Sequence, residues 1–392
     1  MAKFLLDKYV HMTKMCGVYI LTHMKNTRQD LFKFCRMCIL KYFMPLIFLF
    51  VACGKSDDSI LAGFNKVCQN IVYPIDSILL VDYGIFMPEN IAKHNDWLVI
   101  KKHDSQNHID LINIENNNII KIANKGRAEN ELLSAASIQL NDGLLTVYDQ
   151  NLMKKVIYDL DSTILQNVSC MHVHNYSFNK SQDRYIIKPF TLYTYNDISV
   201  ATGLWNDDSW YRLMNSDGSF SKGVKQIAYK SLELFPQLEK TIFHISSVLA
   251  INPSGTKVVC ASSMAPAISV SYIDKNELVE YKRSVSGEPK LEMKKSERHS
   301  SLRYADDNIR AFCSVWTTEE RIYMLYSGRT MDSKVPSYQC NNLLIYDWEL
   351  NPIRRCVLSN SINSFCIDGN KLYGTSSYPD SIVYIYDLSN SN

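Results

Sequence analysis

The chain has 392 residues, of which 46% are hydrophobic, and its 42 basic and 40 acidic side chains leave a net charge of +2. The composition is too apolar for a disordered protein, and the length is sufficient for a large buried core. The balanced charge gives no support for a nucleic-acid partner or for a polybasic membrane-binding surface. Tyrosine, with 24 residues, outnumbers Phe (15) and Trp (5) combined, so strand-favouring aromatic residues weight the composition toward β structure.

Residues 1–52 are predicted to be a leader that is removed. The uninterrupted apolar run Tyr42–Cys53 follows a stretch with several basic residues and is too short to span a bilayer. A charged region, an apolar region and small residues before a cleavage point are the layout of a secretory signal peptide. Because a signal peptide lies close to the start of a chain, the long segment before the apolar run predicts that translation begins at Met24 or Met37. The alternative is a buried helix or strand that happens to end in a cysteine.

The end of the leader predicts a lipid anchor. Phe50-Val51-Ala52-Cys53-Gly54 resembles a bacterial lipoprotein lipobox, which implies that Cys53 is acylated and becomes the mature N-terminus. Residues 54–58 are small and polar and are similar to the signal that sends some Bacteroidetes lipoproteins to the outer surface. We therefore expect a lipidated tether at 53–69 and a protein anchored in the cell envelope, at the outer membrane.

Residues 70–392 alternate in the manner of β-strands. Short runs such as 97–101, 144–149 and 322–326 are rich in β-branched and aromatic residues and are bounded by Asn, Asp, Gly or Ser. Segments such as Asn141–Gly143 and Asp368–Asn370 have the composition of hairpin turns. No amphipathic helix longer than three turns is apparent, so the predicted fold class is all-β.

A repeat divides this region into six units. Six strand-like runs end in an aromatic or aliphatic residue followed by Asp or Asn, at intervals of 40 to 73 residues. Each interval is long enough for a four-stranded antiparallel meander, the blade of a β-propeller. The six endings are Ile112-Asn113, Tyr158-Asp159, Met214-Asn215, Ile273-Asp274, Tyr346-Asp347 and Tyr386-Asp387.

The last unit lacks room for its outer strand, because few residues follow Asp387. The unassigned strand-like stretch Asn70–Asp82 fits that place and would close the ring. The widest interval contains Lys282–Asn308, which is predicted to be an extended, charged surface loop between the fourth and fifth units; a basic patch that meets an acidic partner is the functional alternative.

Three motifs of the mature chain resemble a known family. They are Lys125-Gly-Arg-Ala-Glu-Asn-Glu-Leu132, Leu325-Tyr-Ser-Gly-Arg329 and Ile345-Tyr-Asp-Trp348. The chain resembles the TolB-like six-bladed propeller proteins, common as lipoproteins of Bacteroidetes, over essentially all of its mature length. Ala128 and Glu129 stand where the family usually has Gly and Pro. The resemblance implies fold and location and brings no catalytic residue with it.

Two clusters could carry chemistry. On a strand, Cys170, His172 and His174 would share one face and could bind zinc or copper, whereas the alternative is a polar strand face in the propeller channel. The segment Trp205-Asn-Asp-Asp-Ser-Trp210 could bind a sugar or a cation, whereas the alternative is a hairpin turn between two core tryptophans. We assign no catalytic, cofactor-binding or metal-binding residue.

Of the eleven cysteines, three lie in the predicted leader and Cys53 is the predicted lipid anchor, so seven remain in the mature chain. We expect few or no disulfides among these seven, because several of them lie in apolar strands. They are Cys68, Cys170, Cys260, Cys313, Cys340, Cys356 and Cys366.

The sequence thus predicts a monomeric, lipid-anchored envelope propeller that acts as a non-catalytic binding or scaffolding module for a protein or a small ligand, without a cofactor or a nucleic-acid partner. The alternative is a metal-dependent hydrolase or lactonase. Four or more Asp, Asn, Glu or His side chains that converge in the central channel would favour this enzyme, and an apolar or plugged channel would count against it.

Overall fold

A computed structural model describes residues 59–389 of the chain, and these residues belong to one compact unit, Asp58–Asn392. The described range has gaps at 105, 177–187, 196–197, 216–217, 234, 236 and 296–299. Cys53 and the predicted leader lie outside the described residues.

The described N-terminal segment is folded onto the propeller. Its elements are α1 (Ser59–Gly63), β1 (Cys68–Val72), β2 (Pro74–Leu79) and a 3-10 turn at Leu80–Tyr83. Ile60 and Phe64 are buried, and the Phe64 ring packs edge-on against Tyr346 with 5.0 Å between ring centroids. The part of the predicted tether that follows residue 58 therefore contributes to the core.

The first three blades are antiparallel sheets whose strands follow chain order. Blade I contains β3 (Pro88–His94), β4 (Trp97–Lys102), β5 (Asn107–Asn113) and β6 (Ile119–Asn124). Blade II contains β7 (Ser137–Asn141), β8 (Leu144–Asp149), β9 (Lys154–Asp159), the helix α2 (Leu160–Gln166) and β10 (Met171–Asn175). Blade III contains β11 (Lys188–Tyr195), β12 (Ile198–Leu204), β13 (Ser209–Met214) and β14 (Val224–Lys225).

The next elements are a 3-10 turn (Lys230–Leu232) and α3 (Gln237–Ile245). Blade IV contains β15 (Ser247–Ile251), β16 (Lys257–Ser262), β17 (Ala267–Asp274) and β18 (Glu277–Val285), and the hairpin β19 (Leu291–Lys295) and β20 (Ser300–Tyr304) follows it. Blade V contains β21 (Phe312–Thr317), β22 (Arg321–Tyr326), β23 (Cys340–Asp347) and β24 (Pro352–Ile362). Blade VI contains β25 (Ser364–Asp368), β26 (Lys371–Ser376) and β27 (Ile382–Asp387).

The blades form a closed ring, because the first strand of each blade contacts the first strand of the next, and blade VI contacts blade I. The hydrophobic core of the described residues consists of six clusters, and each of them lies between two neighbouring blades. Burial of apolar surface between blades, at roughly 25 cal/mol per Å², is the force that holds such a ring together. The prediction of six antiparallel blades is confirmed.

The repeated Asp or Asn marks the same place in every blade: it is the last residue of the third strand or, in blade III, the residue directly after that strand. Asn113, for example, accepts hydrogen bonds from the backbone N–H groups of Glu115 and Asn116 and so shapes the turn after β5. In blade II the expected turn is replaced by α2, because the carboxylate of Asp159 caps that helix by accepting from Ser162 N (2.9 Å).

Ring closure from the N-terminus is also found, with one correction. β2 pairs antiparallel with β27 and completes blade VI, as predicted. The stretch Asn70–Asp82 is nevertheless two strands, because β1 pairs in parallel with β24 and adds a fifth strand to blade V. The chain passes from one blade to the next at Tyr73-Pro74, where a proline cannot donate to a sheet ladder.

The prediction of a surface loop at Lys282–Asn308 is wrong for most of that stretch. Its first residues end β18, and Leu291–Tyr304 contains the hairpin β19–β20. Leu291, Leu302 and Tyr304 pack against the core between blades III and IV. The charged side chains between these apolar positions obscured the alternation, and those of Lys290 and Arg303 form ion pairs with Asp307 and Glu292.

Candidate functional site: the central channel

The first strands of all six blades line a cavity of about 320 Å³ on the propeller axis. This volume is at the lower end of the range for small-molecule sites, which are typically concave and largely preformed. Alternation along β7 shows how the wall is built. Ile138 and Leu140 pack into the core between blades I and II, whereas Gln139 and Asn141 occupy the alternate positions and remain partly exposed at the cavity.

Contacts with blade III hold the two amides of β7 in place. Asn141 Nδ2 donates to Thr194 O at 2.9 Å, and Gln139 Oε1 accepts from Thr194 N. Within the described part of the chain, Asn141 Oδ1 and Gln139 Nε2 have no hydrogen-bond partner. One acceptor and one donor are therefore available at the cavity on side chains whose orientation is already fixed.

The neighbouring walls add further polar groups, and these form no hydrogen bond with another described residue. These groups are the side-chain amide of Asn90 on β3, the hydroxyl of Ser314 on β21 and the phenol of Tyr195 on β11. Burial raises the pKa of Tyr193, which also lines the cavity, to about 12, so its phenol keeps its proton at neutral pH.

Aromatic and aliphatic surface fills the space between these polar groups. Trp316 and Phe365 contribute rings from blades V and VI, and Val248 and Ala250 contribute aliphatic groups from blade IV. Asp142 is the one carboxylate among the described lining residues, and that lining contains no Lys, Arg or His. The wall thus combines neutral hydrogen-bonding groups with apolar surface and carries little charge.

Asp142 lies at the rim of this wall, in a tight turn. Asn141 pairs with Leu144, and Asp142 and Gly143 between them have φ of 46° and 77°. Positive φ at both central residues is the conformation of a type I′ hairpin turn, which favours Asp-Gly. The turn that the sequence predicted at Asn141–Gly143 is confirmed.

The lining does not meet the criterion set for the enzyme. Its described residues include three side chains of the types named there, Asn90, Asn141 and Asp142, whereas the criterion asks for at least four. A search of the described residues finds no group of three or more His, Cys, Asp and Glu arranged to hold a metal ion.

The cluster of Cys170, His172 and His174 lies away from the channel. β10 is the outermost strand of blade II, and both imidazoles are exposed on it. Cys170 precedes β10, and its N–H donates to Thr163 Oγ1 at 3.0 Å. The structure therefore matches neither interpretation of the cluster, the metal site or the polar strand face in the channel. Alternation along a strand shows which residues share a face, but it does not show whether the strand is the inner or the outer one of its blade.

Trp205 and Trp210 are core residues, as the alternative interpretation held. Their exposed fractions are 3% and 1%. Trp210 Nε1 donates to Ser247 Oγ at 2.9 Å. The Asp207 carboxylate between them pairs with Arg212, whose guanidinium lies 5.3 Å from the Trp205 ring centroid. This segment is the turn between β12 and β13, and its indoles are not available to a sugar.

The seven described cysteines are free thiols. Four of them, Cys260, Cys340, Cys356 and Cys366, are buried in the sheets, as expected of cysteines that act as small apolar residues. Cys313 is different because it lines the central cavity, a position that the sequence did not indicate. None of the described helices is long and apolar enough to cross a membrane.

The chain is distantly similar to several known proteins. A search of the curated proteins found no match. Among solved structures, an exported protein from Bacteroides fragilis is 12% identical and has a TM-score of 0.48, with 82% of this chain and 93% of the other covered. A luciferin-regenerating enzyme is 10% identical with a TM-score of 0.47, and 80% and 96% of the two chains are covered. A gluconolactonase from Xanthomonas campestris is 10% identical and has a TM-score of 0.44, with 77% of this chain and 86% of the other covered.

The family model described as TolB-like 6-blade propeller-like matches residues 67–370, which is more than half of the chain. This range begins one residue before β1 and ends between β25 and β26, so it includes the strands of blades I to V. The chain belongs to the TolB-like six-bladed propeller family.

Proposed function

We propose that this protein is a non-catalytic binding protein whose central channel takes a small, neutral, hydroxylated ligand. The observation that carries the proposal is the set of amide groups left without partners at the cavity: Asn90, Gln139 Nε2 and Asn141 Oδ1. These amides are partly exposed at the cavity, so a hydroxylated occupant can pair with them, at a net gain of about 0.5–1.5 kcal/mol for each hydrogen bond.

The chemistry of the wall selects the ligand class. Amides and hydroxyls both donate and accept, which suits the hydroxyl groups of a mono- or disaccharide. The partly exposed ring of Trp316 offers apolar surface for the C–H face of such a molecule. A charged ligand would lose its hydration at a wall whose described residues supply a single ionisable carboxylate, Asp142, and no cation.

The test is a binding screen on the purified protein. Neutral mono- and disaccharides are compared with the corresponding sugar phosphates and uronic acids by thermal shift, and members that bind are quantified by titration calorimetry. We expect binding by at least one neutral sugar and weaker binding by its charged counterpart. Binding of the charged members alone, or of none, would contradict the proposal.

Two variants locate the site. Asn90→Ala removes an amide at the cavity and should weaken binding by about fivefold to tenfold, the value of one hydrogen bond. Asn175→Ala makes the same chemical change on the exposed strand β10 and should leave the affinity unchanged. Equal effects of the two substitutions would place the site elsewhere.

We also propose that the protein is anchored in the cell envelope, at the outer membrane, by a lipid on Cys53. The apolar run 42–53 with the lipobox-like residues at its end supports this. Cys53→Ala should leave the precursor uncleaved and abolish labelling with a fatty-acid analogue. Cys68→Ala, at an exposed cysteine of the folded unit, is the matched control and should be processed like the natural chain. Unchanged processing of Cys53→Ala would overturn the anchor.

A further inference from the structure

An apolar strip follows the chain from the outer edge of blade V, along the outer edge of blade VI, toward blade I. Nineteen large hydrophobic side chains are exposed in the described residues, and seven of them lie between residues 71 and 87. A single exposed hydrophobic residue needs no explanation, whereas a cluster of them marks a surface that contacts another molecule. The apolar strip consists of Ile71, Tyr73, Ile75, Leu79, Val81, Phe86 and Met87.

The apolar strip is held at the outside of the ring. β1 and β2 are the outermost strands of blades V and VI, so no further strand of the described residues covers Ile71 or Ile75. Beyond β2, Leu80 N donates to Ser381 O at 2.9 Å, and Ser381 Oγ donates to Phe86 O. These two hydrogen bonds keep the second half of the apolar strip next to blade VI.

The start of the folded unit lies beside the apolar strip. Gln69 Nε2 on β1 donates to Phe64 O at 2.9 Å, so the beginning of β1 contacts the segment that follows α1. Ile71 is two residues further along β1, a distance of about 7 Å. In the sequence, Ser59 of α1 follows Cys53 by six residues, and six residues of extended chain span at most about 22 Å. A lipid on Cys53 therefore keeps the apolar strip close to a bilayer.

The composition of the apolar strip suits the boundary between lipid headgroups and acyl chains. Aliphatic side chains bury apolar surface at this depth, and tyrosine is enriched there because it combines an apolar ring with a polar hydroxyl. Tyr73 is 68% exposed. Residues 71–87 contain no Lys, Arg or His and two exposed carboxylates, Asp76 and Asp82, so they favour neutral over anionic headgroups.

We propose that the apolar strip rests on the membrane in which Cys53 is anchored and inserts its side chains among neutral lipids. The proposal rests on the lipid at Cys53 proposed above, which holds the strip near the bilayer, but the contact itself is made by residues 71–87. The central cavity is lined by the inner strands, so a propeller held by its outer edge keeps its channel accessible to a ligand.

The test is labelling by a photoactivatable lipid. The full chain, purified after natural processing, is reconstituted in vesicles of phosphatidylcholine and phosphatidylethanolamine. The vesicles also contain a phosphatidylcholine with a diazirine in its acyl chain, and labelled peptides are mapped by mass spectrometry. We expect label in residues 71–87 and none at Val279 and Val285, which are 50% and 45% exposed on β18, the outer strand of blade IV.

The same digest shows whether Cys53 is acylated, so the contact and the anchor fail separately. An acylated Cys53 with an unlabelled strip would overturn the membrane contact and leave a protein as the occupant of the strip. Label on the strip of a chain without acyl groups would support the contact and contradict the anchor, and a chain with neither would overturn both. Label that increases when anionic phosphatidylglycerol is added would also contradict the proposal, because the strip has no basic side chain.

Two double variants test the side chains themselves. Ile71→Ser with Ile75→Ser removes apolar surface from the strip and should lower its lipid label roughly tenfold. Val279→Ser with Val285→Ser makes the same kind of change on β18 and should leave the label on residues 71–87 unchanged. All four side chains are exposed, so both variants should keep the melting temperature of the natural chain. An equal loss of label in the two variants would overturn the proposal.

Discussion

β7 and β10 are the two edge strands of blade II, and both carry polar side chains at alternate positions. On β7, Gln139 and Asn141 face the channel and are held by blade III. On β10, His172 and His174 are exposed at the outside of the ring. Polar side chains at alternate positions are therefore held by hydrogen bonds on the inner strand, whereas on the outer strand they are exposed to solvent.

The difference arises from what each strand contacts. β7 lies between the inner strands of blades I and III, so its side chains are oriented by neighbours on both sides. β10 pairs with β9 on one edge, and its other edge belongs to no sheet of the described residues. We expect substitutions to cost more stability near the channel than at the outside, and the following predictions test that gradient from the largest effect to the smallest.

The largest effect is expected at Asp149, at the end of β8, the strand next to β7. Its buried carboxylate accepts from Leu133 N at 2.6 Å, Ser134 Oγ at 2.8 Å and Asn151 N at 2.7 Å. Asp149→Asn turns an NH₂ group toward these donors and should lower the free energy of unfolding by about 2–4 kcal/mol. Urea unfolding at pH 7 measures this loss, and Asp161→Asn, at an exposed carboxylate, should change stability little.

The contribution of Asp149 should also depend on pH. Burial alone would raise the pKa of this carboxyl, but hydrogen bonds from Leu152, Ser134 and Leu133 outweigh it and hold the pKa below the usual value. A lowered pKa stabilises the fold above the unfolded-state value of about 3.9, and the stabilisation is lost as the pH falls through the folded-state value. The stability difference between Asp149→Asn and the natural chain should therefore shrink below about pH 4. A constant difference from pH 7 to pH 3 would contradict this origin.

A smaller effect is expected at Asn141 on β7. Asn141→Ala removes the hydrogen bond to Thr194 O and should cost about 1 kcal/mol of stability, in addition to weakening a ligand in the channel. The midpoint of urea unfolding without ligand measures the first effect. A midpoint equal to that of Asn175→Ala would show that the link between blades II and III contributes no stability.

The smallest effect is expected on β10. His172→Ala and His174→Ala remove exposed side chains and should each change stability by less than about 0.5 kcal/mol. Zinc should raise the melting temperature of neither the natural chain nor the variants. Stabilisation by zinc that is lost in His172→Ala would restore the metal site that the sequence suggested.

The number of blades and the strand that closes the ring could be predicted from the sequence, because both depend on short patterns within single strands and turns. Asn113, Asp347 and Asp387 accept from backbone N–H groups of the turns that follow them, so a short local pattern recurs at the end of the third strand and identified the blades. The closing strand was predictable because blade VI lacked one and β2 had the right pattern.

The candidate site could not be predicted in the same way. Asn90, Gln139 and Ser314 come from three blades, and their meeting at the axis depends on ring closure, which no local pattern encodes. The same limit explains why Cys313 resembled the other strand cysteines until its position on an inner strand was known. The predictions about the leader and Cys53 remain open, because those residues lie outside the described part of the chain.

The most direct test of the channel as a binding site is a crystal structure of the protein with the neutral sugar that binds most tightly in the screen. We predict electron density for the sugar inside the central cavity, with its hydroxyl groups within hydrogen-bond distance of the amides of Asn90 and Asn141. Density for the sugar on the outer strands, with an empty channel, would contradict this account.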